Sequence, residues 1–359
     1  VKLRSQARSR TILWGAIPVL AMTYLATAPT VPFTSIPLTV PYAAESPGPT
    51  FNTLAEFEGK PIVAVTGTET DPTSGNLNMT TVSVYSQLTF AQALSRWLVH
   101  DDTLVPIEQI FPPNLSQTEV DHQNKVQFSQ SESAATLAAL EYLERPTAVE
   151  VVDIVPDSAA QSILMPGDRI VAFAGQPITE PSQVREKVLA GQPGDTVELS
   201  VVGAQATPET QPETKTLTLG KNPDTGNAFL GITMGAVAAD GTKVEYNLKD
   251  IGGPSAGMMF SLAVVDKLSP GELTGGKFVA GTGTIEENGT VGPIGGIKHK
   301  VQAAADAGAE VFLAPSANCA EAMSKTHEGL TVLKVDTLAQ AIDQLNAYNS
   351  GGEVVRCEK

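Results

Sequence analysis

Apolar and polar positions follow one another in four textures along the 359 residues. The first is an uncharged run, Thr11 to Ala28 (TILWGAIPVLAMTYLATA), whose 18 residues would span about 27 Å as a helix. Residues 29–49 (PTVPFTSIPLTVPYAAESPGP) are dense in Pro, Ser and Thr, which disfavours helix and predicts an extended stalk or entry strand. In the second texture, residues 60–68 and 79–88 carry the β-branched enrichment of strands, while 89–99 and 131–144 repeat apolar residues at helical spacing. Residues 101–130 are polar and weakly periodic, and read as a long connection with one helical turn. This stretch predicts an α+β fold.

Residues 148–220 form the third texture. The pattern predicts a strand at Val149–Val155, a short helix at Ser158–Leu164, a Pro-Gly-Asp turn at 166–168 and a strand at Arg169–Phe173. A helix at Ser182–Ala190 and strands at Thr196–Val202 and Lys215–Leu219 complete a small domain, with Gly203–Thr214 as an exposed loop inside it. In the fourth texture an apolar run, Met258–Val265, follows the tight turn Gly252–Gly257. A second turn, Pro293–Gly296, leads into a helix from Ile297.

Composition adds a packed core of two compact domains, since 42% of residues are hydrophobic and 17% charged. A net charge of −16 excludes nucleic acid as a partner, because phosphate binding needs a concentrated basic face. Lys2, Arg4, Arg8 and Arg10 precede the apolar run, and no further basic residue occurs until Lys60. The positive-inside bias then predicts a membrane anchor over 11–28, a cytoplasmic N-terminus and an extracytoplasmic body. A cleaved signal peptide competes, with Ala26-Thr27-Ala28 as its cleavage site, but Pro29 would occupy the first mature position and argues for an uncleaved anchor. The two cysteines, Cys319 and Cys357, read either as a disulfide staple, the expectation in an oxidising compartment, or as two free thiols.

Candidate chemistry sits in 244–315. Ser255 stands where the buried helix begins, beside free backbone amides and the positive end of the helix dipole, a setting suited to an oxyanion. The competing reading makes Ser255 a helix N-cap. The four histidines, His100, His122, His299 and His327, occur in no triad context. A lysine desolvated enough to titrate near 7–8, from about 10.4, serves as a base instead, and Lys298 and Lys300 are the candidates. No metal site or cofactor is expected.

Two resemblances follow from these residues. Ser158, Ala159, Ala160, Leu164, Gly167, Asp168, Ile170 and Gly175 resemble the S-A-A…L…G-D-x-I…G run of PDZ domains. That likeness implies strand addition of an extended peptide between Val149–Ile154 and Ser182–Ala190, with Val149, Val151, Ile154 and Val184 as groove residues. Arg145-Pro146-Thr147-Ala148 stands where such domains carry a glycine-rich carboxylate loop, so capture of a free C-terminus is not expected. Gly253-Pro254-Ser255-Ala256-Gly257, Thr282-Gly283 and Gly289-x-Val291-x-Pro293-Ile294-Gly295-Gly296-Ile297-Lys298-x-Lys300 are similar, in order and spacing, to the proteolytic domain of Lon peptidases. The resemblance implies Ser255 as nucleophile, Lys300 as base, Thr282 as the threonine that bonds the lysine, and Gly253, Pro254 and Ala256 as supporting residues. Lys298 is then a solvated surface charge.

Two departures matter. Gly253 replaces the acidic residue that many Lon enzymes have two positions before the serine, with Asp250 nearby but out of register, and no ATPase module is present. Gly271–Lys277 mimics a phosphate loop, but Phe278 stands where Ser or Thr would hold magnesium, so ATP is not expected as a partner.

The whole chain resembles membrane-anchored bacterial PDZ–Lon proteins. The expected order is a basic N-terminus (1–10), a transmembrane anchor (11–28), a stalk (29–49), a first protease segment (50–145), a PDZ-like domain (146–221) and a Lon-type protease domain (222–359). The expected fold is α+β, an N-terminal transmembrane helix followed by a Lon-type domain split by a PDZ-like insertion. The expected activity is that of a membrane-anchored, ATP-independent serine endopeptidase working through an acyl-enzyme on unfolded or extended exported segments, as a possible homo-oligomer. The alternatives are a non-catalytic peptide-binding membrane adaptor and hydrolysis of a small ester or amide by the same serine.

Overall fold

The computed structural model describes residues 16–358 except 114, 205–209, 224 and 249–250. Its first elements are helix α1 (residues 16–27), β1 (Tyr42–Asn52), β2 (Val63–Thr66), β3 (Asn76–Tyr85), α2 (Phe90–Val99), β4 (Thr103–Pro106) and α3 (Gln117–Tyr142). The small domain follows with β5 (Thr147–Ile154), β6 (Arg169–Phe173), α4 (Pro181–Ala190), β7 (Thr196–Val202), β8 (Glu213–Thr218) and β9 (Ile232–Ala238). The C-terminal third holds β10 (Lys243–Tyr246), α5 (Gly257–Leu268), β11 (Phe278–Gly281), β12 (Thr284–Ile285), β13 (Val291–Gly292), α6 (Ile297–Asp306), β14 (Val311–Pro315), β15 (Thr331–Val335) and α7 (Leu338–Asn349).

The chain divides into two compact units, Val1–Pro49 with Thr81–Asp121, and Thr50–Thr80 with His122–Lys359. In the first, β1 runs antiparallel to β4, with Tyr42 opposite Pro106. Thr89 and Gln92 close a capping box on α2, and Arg96 both pairs with the buried Asp102 at 2.8 Å and lies over the Tyr85 ring.

This unit corrects the membrane-anchor expectation. Helix α1 has 12 described residues, 16–27. Residues 1–15, with the four basic groups and the start of the expected span, lie outside the described residues. Among the described residues no helix is long and apolar enough to cross a membrane. The transmembrane fold, the single-pass topology with its cytoplasmic N-terminus and extracytoplasmic body, the membrane partner, and the anchored forms of both enzyme and adaptor are therefore not supported. Of the two readings of residues 29–49, stalk or entry strand, the second half takes the strand form in β1, which buries Ala43 and Ala44 completely.

In the second unit the parallel strands β3, β11, β14 and β15 lie side by side, with Val279 of β11 opposite both Leu77 and Val311. Helix α5 is apolar on every side, so it is stable only when surrounded. It is: every residue from Gly257 to Asp266 is buried, with Phe260 edge-on to Phe128. Burial of one such aromatic contributes about 2–3 kcal/mol. The helix ends as the Ser269 hydroxyl bonds the Val265 carbonyl and Pro270 blocks continuation. Ile62, Val63, Leu77 and Met79, far upstream in sequence, pack into the same core.

The small domain is an antiparallel sheet in the order β8, β7, β6, β5, β9, packed on α4 around Val149, Ile170, Val184 and Leu199. Its sheet continues beyond residue 221 to β9, and the Gly203–Thr214 loop lies partly outside the described residues. The helix expected at Ser158–Leu164 is a succession of turns, because the segment between Pro156 and Pro166 is too short to repay helix nucleation. Residues 101–130 depart most: instead of a connection they hold β4 and the first half of a 26-residue helix. Ser116 and Glu119 start that helix with reciprocal bonds, Ser116 N to the Glu119 carboxylate at 2.6 Å and Glu119 N to the Ser116 hydroxyl at 3.3 Å.

Cys319 and Cys357 are joined in a disulfide that closes a 38-residue separation and fastens the C-terminal segment, where Cys357 N bonds the Val332 carbonyl. Closing a loop of that length stabilises by about 3–4 kcal/mol through the unfolded chain. Reduction with dithiothreitol, or the Cys319→Ser/Cys357→Ser double variant, should lower the unfolding free energy of the second unit by an amount of that order, and its denaturation midpoint with it. An unchanged midpoint would contradict the staple.

Candidate active site

The site is built on the loop that enters α5. Gly253 adopts φ +85°, a conformation that favours glycine, and its amide donates to the Asn124 carbonyl at 3.1 Å. One residue on, the Ser131 hydroxyl donates to the Pro254 carbonyl at 3.0 Å. Helix α3 therefore pins the loop at two successive residues. Gly257 is held closely on both sides: a Cβ there would lie 2.6 Å from Ile285 Cγ2 and 2.7 Å from Ser131 Oγ. Asp250 lies outside the described residues.

The pinned loop presents Ser255. Its carbonyl accepts from Gly283 N and from the Thr282 hydroxyl, each at 3.0 Å. The N-cap position of α5 belongs to Ala256, which has no side-chain cap, so Ser255 does not fill the capping role. Its hydroxyl instead meets α6. Lys300, one turn into that helix and 3% exposed, places Nζ 2.7 Å from Ser255 Oγ and 3.0 Å from Thr282 Oγ1. Because the Thr282 proton is directed to the Ser255 carbonyl, the Thr282 oxygen is left to accept from the lysine. Lys298, two residues earlier, is partly exposed.

Chemically, this is a hydroxyl in contact with a buried amine, at the start of a helix. Met258 N bonds the Gly283 carbonyl, whereas among the described residues the Ser255, Ala256 and Gly257 amides donate to no backbone carbonyl. Amides left without a backbone partner at the start of a helix are available to a negatively charged oxygen. Among the described residues no group of His, Cys, Asp and Glu could hold a metal ion. The glycine-rich Gly271–Lys277 segment is a turn whose Lys277 lies over the Tyr348 ring.

Strand β5 does not offer the expected peptide groove. That strand is paired on one side with β6 and on the other with β9, so strand addition to it is closed. Val149, Val151 and Val184 are completely buried core residues and Ile154 is half-buried beside them. The end strand beside α4 is β9, whose pairing to β5 is a non-local event.

The comparisons with known proteins match stretches of this chain to two families. A model of the Lon protease (S16) C-terminal proteolytic domain matches residues 248–347, and a PDZ domain model matches 125–208. The chain carries a Lon-protease-like domain and a PDZ domain. Lon protease 2 of Bacillus subtilis is 33% identical over 95 residues, 26% of this chain and 17% of that protein. The Lon protease of Phenylobacterium zucineum is 36% identical over 94 residues, 25% of this chain and 12% of that one. The chain thus spans less than a fifth of the length of these curated relatives. Their likeness supports a peptidase of the Lon superfamily. Among solved structures, the PDZ domain of the SdrC-like protein from Listeria monocytogenes is 22% identical with a TM-score of 0.21, covering 24% of this chain and 85% of that one. Its Listeria innocua counterpart is 23% identical with a TM-score of 0.22, covering 24% and 92%.

Asn124 and Ser131, the two residues of α3 that hold the Lon-like loop, were not signalled by apolar spacing. Deeper in that helix, burial raises the Glu132 carboxyl from 4.5 to about 7 and also pushes up the neighbouring Tyr246 phenol, which hydrogen-bonds Thr136. Folded Glu132 keeps its proton to higher pH than the unfolded chain does. Its contribution to stability is therefore full below pH 4.5 and falls by about 3 kcal/mol as pH rises to about 7. Glu132→Gln should remove that part of the pH dependence, so that the variant gains on the wild type between pH 5 and pH 8 in denaturant titrations. A constant difference across that range would contradict the assignment.

Proposed function

We propose that the chain is a serine peptidase in which Ser255 is the nucleophile and Lys300 the general base. The observation that carries this reading is the 2.7 Å contact between Lys300 Nζ and Ser255 Oγ, with Thr282 as the third partner of the lysine. The Lon-like match supports it, because residues 248–347 contain all three.

The reacting form requires an uncharged amine. Burial penalises an ammonium ion, and a neutral lysine has two protons and one lone pair. One proton goes to Thr282 Oγ1, and the lone pair then faces the serine proton. Ser255 Oγ attacks a peptide carbonyl as its proton passes to Lys300, and the carbonyl oxygen becomes an oxyanion facing the Ser255 and Ala256 amides. Lys300 returns the proton to the departing amine as the C–N bond breaks. The same lysine then takes a proton from a water that attacks the serine ester and gives it to Ser255 Oγ as the ester C–O bond breaks, which releases the second product and restores the serine and the neutral amine. Thr282 acts as a positioning residue. The substrate is polypeptide in extended form, since the attacked carbonyl must reach a serine set among buried neighbours.

The full chain should cleave unfolded casein. Ser255→Ala and Lys300→Met should each lower that rate at least about 1,000-fold with unchanged circular dichroism, and Thr282→Val should lower it about 10- to 100-fold. Cleavage that survives both Ser255→Ala and Lys300→Met would overturn the assignment.

A further inference from the structure

A cavity of about 900 Å³ lies within the second unit, between the PDZ domain and the Lon-like domain. One wall is the small domain, with Met234 of β9 and the first turns of α4. The opposite wall is Pro254, the residue before Ser255, together with the Ile285–Asn288 segment. Helix α3, which pins the nucleophile loop, forms the floor between them. We propose that this cavity is the path of the substrate, and that its occupant is an extended polypeptide segment in which apolar and basic side chains alternate. The proposal rests on the peptidase reading and adds to it the class of sequence selected.

Three observations carry it. First, β9 is the end strand of the small-domain sheet, and its register shifts between Thr233 and Met234, both on the cavity wall. An end strand offers a row of backbone donors and acceptors that an incoming extended chain satisfies. Second, the lining has apolar surface open to an occupant: Val152 is 52% exposed and Val126 41%, with the half-buried Met234 on the same lining. Third, among the described residues that line the cavity, Glu180 and Glu186 on the small-domain side and Glu286 and Glu287 on the Lon-like side stand against one cation, Arg185. A strand sends successive side chains to opposite faces, so an alternating segment lays its apolar residues on the valine and methionine surface while its basic ones meet the carboxylates. The same segment, paired at β9, extends to Pro254 and so to the serine.

The test reads binding to the full chain carrying Ser255→Ala, so it does not depend on cleavage, while casein cleavage by the wild type separately reads the peptidase assignment. Two unstructured 12-residue peptides with the same apolar residues, alternating with Lys in one and with Glu in the other, are titrated by fluorescence anisotropy. The Lys peptide should bind at least 10-fold tighter. Glu286→Gln/Glu287→Gln should erode that preference, and Glu286→Lys/Glu287→Lys should reverse it. A photo-crosslinker at a central apolar position of the Lys peptide should give adducts on both α4 or β9 and the 285–288 segment. Equal affinities of the two peptides, a preference unmoved by both double variants, or adducts confined to one wall would overturn the proposal.

Discussion

An amine taken out of water beside a hydroxyl is the arrangement on which the rest of this molecule turns. Lys300 is buried to 3% exposure with Nζ 2.7 Å from Ser255 Oγ, and a long flexible side chain holds such a position only if its surroundings leave it no other. Thr282 supplies part of that constraint by accepting from the lysine while donating to the Ser255 carbonyl, so one hydroxyl ties the base to the loop that carries its partner. The parallel strands and the all-apolar α5 provide the rest, since neither can shift without exposing a core that includes Met258, Phe260 and Leu262.

Helix α3 extends this constraint beyond the Lon-like region. It bonds the loop at Gly253 and Pro254, packs Phe128 against Phe260 of α5, and floors the cavity that opens toward the PDZ domain. The region matched by the Lon model therefore does not hold its own nucleophile loop alone: residues at 124 and 131, more than a hundred positions upstream of that loop, complete it. The segment from Ile62 to Met79 serves the same end by filling the core on which α5 rests.

What could be read in advance was what is local in the chain. The Gly-Pro-Ser-Ala-Gly turn, the apolar run behind it and the Lys-x-Lys helix are each short, and each states its own conformation through turn residues and period. The second half of helix α3 was legible by apolar spacing from residue 131 on, but its first half was not, because it is mostly exposed, with Val120 and Phe128 as its buried apolar residues. The signal that was available is the Ser116–Glu119 capping box. The edge of the PDZ sheet was misplaced for a different reason: β5 reads as a strand from its own residues, but β9, some eighty positions later, takes its free side. The cysteine pairing was left open because a sequence carries no distance between Cys319 and Cys357. The apolar run at 11–28 was legible as hydropathy and read as a bilayer span, whereas among the described residues no helix is long and apolar enough to cross a membrane.

Covalent labelling tests the central contact most directly. The full chain is treated with a small fluorophosphonate, digested and mapped by mass spectrometry. The account predicts one adduct, on Ser255, whose formation falls at least about 100-fold when Lys300 is replaced by Met. Labelling of Ser255 at an undiminished rate without the Lys300 amine, or no labelling of Ser255 in the intact chain, would contradict it.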